Sequence, residues 1–296
     1  MRRLLAIVNA SAGSVGEEVV SEVLAVLGEH ADTERVRIDD PAGLPGALAA
    51  HPDRDPVVLG GDGTLHALVA ALAERGELGT RTVGLVPLGT GNDLARALGV
   101  PLDPIEAARA AALGEPRPLD LLRDDGGGIV VNAVHIGVGV EAARAAQPLK
   151  PVLHRFAYAA GSVIAGLRTR GLPLKVEVDG RVVANGRHRV LMVGIGNGSS
   201  IGGGTPLTPA AVPSDGLADV VISFSTGPLR RLLYGVLLRL GRHTSRQDVA
   251  TVRGARVRIS GPPMRVNADG ELLGPVADRT WTVEPGAWRL ALTEAP

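Results

Sequence analysis

The chain has 296 residues, 45% hydrophobic and 21% charged, and its 31 Lys and Arg balance 31 Asp and Glu, which excludes wholesale disorder and gives no reason to expect nucleic-acid binding. It has no cysteine, so a disulfide framework, a Cys-ligated zinc and a thiol nucleophile are all excluded, and a reducing, cytoplasmic setting is the default expectation. The length suits two domains, each large enough to bury a core.

The first element is the apolar run Leu4 to Val8. Two arginines before it and Ala10-Ser11-Ala12 after it imitate a secretion signal, but Asn9 ends the run too early for an export segment, so it is read as a buried strand. No apolar stretch is long enough to span a bilayer. Up to about residue 115, short apolar runs then alternate with helix-like segments: Glu17 to Leu27, Pro56 to Leu59, Leu65 to Ala73, Thr82 to Pro87 and Asp93 to Leu98. This βαβα rhythm predicts an α/β domain, a parallel sheet with flanking helices and with ligands beyond the carboxyl ends of the strands. From about residue 118, β-branched runs broken by glycine predict a mainly antiparallel β domain: Gly128 to Val140, Leu174 to Val183, Val190 to Gly196, Ala218 to Phe224, Ala255 to Ile259 and Trp281 to Leu292. Two helices are expected within it, at Arg155 to Arg168 and Pro228 to Leu240. The boundary is placed at Gly114 to Pro118, giving domains 1–117 and 118–296.

Three segments in the first half have the chemistry of anion-binding turns. Gly60-Gly61-Asp62-Gly63-Thr64 follows the strand Val57 to Leu59 and opens the amphipathic run Leu65-His66-Ala67, which puts it at a helix N-terminus. There, glycines admit a phosphate and backbone amides favour it. Asp62 would repel that phosphate unless a cation bridges the two, so the loop suggests Mg²⁺ or proton transfer; a tight turn with an Asp cap is the plainer alternative. Gly89-Thr90-Gly91-Asn92-Asp93 repeats the arrangement after the next strand, and two such loops on neighbouring strand ends can bracket one triphosphate. Asn9-Ala10-Ser11-Ala12-Gly13 follows the first strand but lacks the lysine of a P-loop.

Gly60 to Thr64, Pro87 to Arg96, Gly196-Asn197-Gly198 through Gly202-Gly203-Gly204 to Pro209-Ala210, Asp215 to Asp219 and Asp269-Gly270-Glu271, taken in order, resemble the diacylglycerol kinase catalytic-domain family, which includes bacterial lipid kinases and sphingosine kinases. The resemblance implies an N-terminal α/β nucleotide domain followed by a C-terminal β-sandwich, with the active site between them. It implies that ATP contacts Asn9 to Gly13, Gly61 to Ala67 and Thr90, and that Asp215 anchors a structural Mg²⁺ with the carbonyls of Val212 and Leu217. It also implies that Glu271 is the general base, with Asp62, Asp93 and Asp269 organising Mg²⁺ and water around the phosphates. Phosphoryl transfer to an alcohol needs positioning, charge neutralisation and one proton acceptor, and carboxylates serve the last two needs. Asp269-Gly270 also reads as a hairpin turn, which could itself present Glu271 to the cleft. The chain departs from the family pattern at Ala10 and Ser14 in the first loop and at Ala67, where a carboxylate beside the nucleotide is missing.

The expected substrate is a diacylglycerol-like or long-chain-base lipid at a membrane surface, which implies transient peripheral contact. The run His154 to Arg168 could line an acyl pocket or bridge the domains as a core helix. Pro228 to Arg242 carries Leu229, Leu232, Leu233, Val236, Leu237 and Leu240 on one helical face, with arginines elsewhere, and fits either a membrane-surface helix or ordinary packing. His66, His135, His154 and His243 show no metal-ligand spacing and are assigned no chemistry. Hydrophobic sandwich edges permit a homodimer without demanding one. The competing functions are an NAD kinase-like activity, which shares the Gly-Gly-Asp-Gly-Thr turn, and a non-catalytic nucleotide- or lipid-binding regulator.

Overall fold

In a computed structural model, residues 2–9, 16–137 and 171–293 are described. The first half comprises β1 (Arg3–Asn9), α1 (Glu17–His30), β2 (Asp32–Ile38), α2 (Leu44–Ala50), β3 (Asp55–Gly60), α3 (Asp62–Glu74), β4 (Thr82–Pro87), α4 (Asp93–Ala97) and α5 (Pro104–Leu113). The four strands are parallel in the order β4-β3-β1-β2, so the first strand enters the interior of the sheet and its apolar run is buried on both faces. Leu5, Ile7 and Val58 face Leu65, Leu68 and Leu72 of α3. Leu4, Ala6 and Val8 face Val23 and Leu27 of α1 and the alanines of α5. Each such leucine or valine contributes roughly 1.5–3 kcal/mol by leaving water.

Three elements of this half were not anticipated. β2 has the sequence DTERVRI, and only Ile38 in it is buried. It is an edge strand, and its charges hide the apolar pattern that a central strand shows. Helix α2 is short and glycine- and proline-containing. Helix α5 buries five alanines, a face too small in volume to register as an apolar stripe, and starts where the Asp103 carboxylate accepts from the amides of Ile105 and Glu106.

The second half comprises β5 (Glu115–Asp124), β6 (Ile129–Val130), β7 (Ala133–Gly137), β8 (Lys175–Val178), β9 (Arg181–Asn185), β10 (Met192–Gly196), β11 (Ala218–Ser223), α6 (Pro228–Arg239), β12 (Val249–Gly254), β13 (Arg256–Ala268) and β14 (Glu271–Leu292). Its strands pair antiparallel in the order β12-β11-β10-β7-β13-β14, with β5 also on β14 and β8 on β13. Val134, Ile136, Val193, Ile195, Val220, Ile222, Val257, Ile259, Val266 and Trp281 share one core. The architecture is therefore an α/β domain followed by a β-sandwich, as expected.

The two halves are joined by strand pairing. The end of β14 runs parallel to β4, with Arg289 opposite Thr82 and Leu290 opposite Val83. Leu119, Leu121, Trp288 and Leu290 complete the core under α3. At Gly114 the chain leaves α5 and passes directly into β5. The expected helix at residues 155–168 and the last three residues of the expected strand at 128–140 lie outside the described residues.

Candidate active site

The first two glycine loops meet at the carboxyl ends of β3 and β4. The Leu88 amide donates to the Gly60 carbonyl (2.9 Å), and a Cβ on Gly89 would stand 2.6 Å from Gly61 Cα, so the backbones touch where no side chain fits. Asn92, in the left-handed region at φ 51°, holds the second loop by donating from Nδ2 to the Gly89 carbonyl (2.7 Å). Asp62, the first residue of α3, reaches across to α4, where its carboxylate accepts from the amides of Asp93 (3.1 Å) and Leu94 (3.3 Å). The anion-binding start of α4 is thus filled by the protein's own carboxylate. Burial is the main influence raising the Asp62 pKa. The two amides oppose it, and the nearby charges of Asp93 and Asp269 reinforce it.

Asp93 and Asp269 reach other elements. Asp93 is buried and accepts from Ser200 Oγ (2.8 Å) and from the amides of Gly203 (2.8 Å) and Gly204 (2.7 Å), tying α4 to the glycine segment of the second half. Asp269 accepts from the amides of Val131 (2.7 Å), Asn132 (3.1 Å) and Ala133 (2.9 Å) and from His66 Nδ1 (2.9 Å). These four donors use the acceptor capacity of its two oxygens. Positive φ at Asp269 and Gly270 makes the two-residue turn between β13 and β14, and Glu271 follows as the first residue of β14. Glu271 is exposed, and among the described residues its carboxylate has no hydrogen-bond or ion-pair partner. It nevertheless acts on His66 electrostatically. Burial, the largest single influence, lowers the His66 pKa, but the Asp269 hydrogen bond and the charges of Asp269 and Glu271 outweigh it and the net shift is upward.

Of the nucleotide-contact candidates, Asn9 is brought to the site: its Nδ2 donates to Thr64 Oγ1 (3.1 Å) at the first turn of α3. Ala10 to Gly13 lie outside the described residues. Gly60 and Gly61 lead into the first turns of α3, Asp62 to Ala67, and Gly89 to Asn92 lead into α4 at Asp93, with Leu65 turned into the core.

The metal candidates Asp215, Val212 and Leu217 are in a turn before β11. Asp215 Oδ1 accepts from the Leu217 amide (3.1 Å), the other oxygen pairs with Arg253, and the Val212 carbonyl accepts from the Ser214 amide (2.8 Å). Among the described residues no group of three His, Asp or Glu side chains converges as a metal site. A structural Mg²⁺ here would share the Asp215 carboxylate with Arg253 and draw its remaining protein ligands from the Val212 and Leu217 carbonyls. Asp62 fits a cation that arrives with the nucleotide, because its charge sits beside Asp93 and Asp269 with no cationic side chain bonded to it among the described residues.

Several residues that hold the site carry no short sequence signal. Asp120 accepts from the amides of Gly216 (2.7 Å) and Gly286 (2.8 Å) and so supports the Asp215 turn from β5. Asn132 donates to the Ser200 carbonyl (2.9 Å), and Asn197 donates to the carbonyls of Asp120 (2.9 Å) and Val131 (2.8 Å). Asn197 was visible within Gly196-Asn197-Gly198. The others are single polar residues whose partners are distant in sequence.

The description "Diacylglycerol kinase catalytic domain" matches residues 3–123, and "YegS C-terminal NAD kinase beta sandwich-like domain" matches residues 132–292, more than half of the chain. The chain belongs to the YegS-like lipid kinases of the diacylglycerol kinase family. It is similar to the probable lipid kinase YegS-like of Stenotrophomonas maltophilia (strain K279a), 35% identical over 80% of this chain and 78% of the relative. The corresponding protein of Xanthomonas oryzae pv. oryzae (strain MAFF 311018) is 36% identical over 73% of this chain and 71% of the relative. In fold it is similar to a diacylglycerol kinase of Bacillus anthracis str. Sterne, with a TM-score of 0.79 at 23% identity, covering 99% of this chain and 98% of that one. Membership of this family makes the protein an ATP-dependent lipid kinase. No helix among the described residues is long and apolar enough to cross a membrane.

Proposed function

We propose that the protein transfers the γ-phosphate of ATP to the hydroxyl of a diacylglycerol-like or long-chain-base lipid, with Glu271 as general base and Mg²⁺ entering with the nucleotide at Asp62. The observation that carries this reading is the contrast among the carboxylates. Asp93 and Asp269 are committed to backbone amides. Glu271, two residues beyond the locked Asp269, is exposed at the turn and is available to accept a proton. The meeting glycine loops would cradle the phosphates, and the bound cation would neutralise charge on the transferring group.

The test supplies γ-labelled ATP, Mg²⁺ and mixed micelles of diacylglycerol or sphingoid base. Wild type labels the lipid phase, and Glu271→Gln, with ATP binding intact, falls by on the order of 10²–10⁴-fold in kcat. A Glu271→Gln enzyme with full turnover removes Glu271 as the base. Label on added NAD rather than on any lipid would replace the lipid acceptor with a nucleotide.

A further inference from the structure

Helix α6 is amphipathic in the opposite sense to a packed surface helix. Its inward side is led by Tyr234, 2% exposed, whose hydroxyl meets Met192 Sδ and whose ring meets His243 edge-on. The outward side is aliphatic: Leu229 is 82% exposed, Leu232 59%, Leu233 49%, Val236 51% and the C-cap residue Leu240 63%. At 100° per residue these five lie within one continuous stripe, centred opposite Tyr234 and Leu238. Arg230 borders the stripe on one side and Arg239 on the other, and Arg242 follows the helix. From residue 220 to 247 there is no Asp or Glu, so this surface is cationic as well as apolar. Nothing among the described residues covers it.

The helix is also fastened to the active site. Arg239 Nη1 donates to Thr205 Oγ1 (3.1 Å), and His243 Nε2 donates to the Leu207 carbonyl (3.0 Å). Tyr234, Leu207 and Ile201 pack in one cluster. The same 200–208 segment sends Ser200 Oγ and the Gly203 and Gly204 amides to Asp93. One segment therefore lies between the outward leucines and the carboxylate cluster.

We propose that this face of α6 docks the protein on an anionic phospholipid bilayer, with the leucines entering the acyl boundary and Arg230, Arg239 and Arg242 at headgroup level. Charge selects this occupant: arginines flank the apolar stripe at the depth where anionic headgroups lie, and long side chains reach them while their stems remain in apolar surroundings. The proposal rests on the lipid-kinase reading only for its purpose, since the acceptor of such an enzyme is held in a membrane.

The test sediments the full chain with vesicles of phosphatidylcholine alone or mixed equally with phosphatidylglycerol, and in parallel measures phosphorylation of vesicle-borne diacylglycerol and of a water-dispersed short-chain diacylglycerol. Wild type should bind the mixed vesicles on the order of tenfold more tightly than phosphatidylcholine, and added salt should narrow that gap. Leu229→Ser with Leu232→Ser and Val236→Ser should weaken binding by on the order of tenfold or more and slow turnover on vesicles, leaving turnover on the dispersed acceptor unchanged. Arg230→Glu with Arg242→Glu should remove the preference for phosphatidylglycerol. Undiminished vesicle binding by the serine variant overturns the proposal while leaving the kinase intact. Wild-type binding without phosphorylation of either acceptor overturns the kinase reading and leaves the docking face standing. A concentration-dependent dimer that the serine substitutions dissociate, with no vesicle binding, assigns the face to a second copy and overturns the proposal.

Discussion

At the residue scale, the site is organised by carboxylates that differ in what surrounds them. Asp269 accepts three backbone amides and His66, and its side chain is only 3% exposed, so its removal leaves buried donors unpaired. Asp269→Ala should cost about 2–4 kcal/mol in denaturant unfolding, a large loss for a single site. His66 gives a pH signature. Its folded pKa is raised above the ordinary histidine value of about 6.5, so the stability it contributes is complete below about pH 6.5 and is lost as pH rises through the higher folded value. Wild type should therefore lose stability over that interval relative to His66→Asn, and thermal unfolding of both across pH checks it. A wild-type profile that parallels the variant would show that the His66–Asp269 contact is energetically silent. Asp62 has the opposite consequence. Burial raises its pKa, so its ionised form is a cost to the folded protein that the amides of Asp93 and Leu94 offset; Asp62→Asn removes one of those two acceptors and should leave the melting temperature unchanged or slightly lower while abolishing phosphoryl transfer.

At the element scale, the strand-to-helix turns set the geometry more than the helices do. Leu65, Leu68 and Leu72 fix α3 on the sheet, and the two glycine loops then touch at Gly61 and Gly89. A methyl group on Gly89 has nowhere to go, since the nearest atom is backbone. Gly89→Ala should therefore push the loops apart, lowering stability by about 1–3 kcal/mol and raising the KM for ATP more than it lowers Tm would suggest. Equilibrium ATP binding by calorimetry checks this, and unchanged affinity would show that the loop contact does not shape the nucleotide site. The β13–β14 hairpin is the second such device: its turn places Asp269 and Glu271 two residues apart, one bonded inward and one exposed.

At the scale of the whole molecule, the two halves share hydrogen bonds and a core. β14 extends the parallel sheet at β4, and Trp288 and Leu290 fill the space under α3 with Leu119 and Leu121. A fragment of residues 1–117 lacks all four and should expose the apolar face of its sheet. It should bind a hydrophobic dye and unfold without a cooperative transition, whereas the full chain should unfold in a single calorimetric transition. A cooperatively folded fragment would show that the first half is energetically independent.

Local sequence already determined much of this protein. The runs at Leu4 to Val8, Val57 to Leu59 and Thr82 to Pro87 are buried strands because contiguous apolar residues must leave water on both faces, and glycines after them become turns because only glycine tolerates the approach seen at Gly61 and Gly89. Position in the assembled sheet decided the rest. β2 is a strand because a neighbour offers it hydrogen bonds, despite four charged side chains among its seven residues. Asp120, Asn132 and Ser200 matter because folding brings partners to their side chains from 68 to 166 residues away, which no local pattern encodes. His66 shows the same limit: a histidine without metal spacing became a link between α3 and the β13–β14 turn. The helix at Pro228 to Arg239 was legible as amphipathic, but which face it turns to solvent was settled only by packing. Tyr234 fits the cluster around Leu207 and Met192, and the leucines are left outside. Burial and hydrogen bonding are satisfied by the partners available in space, and those are set by topology rather than by neighbours in the chain.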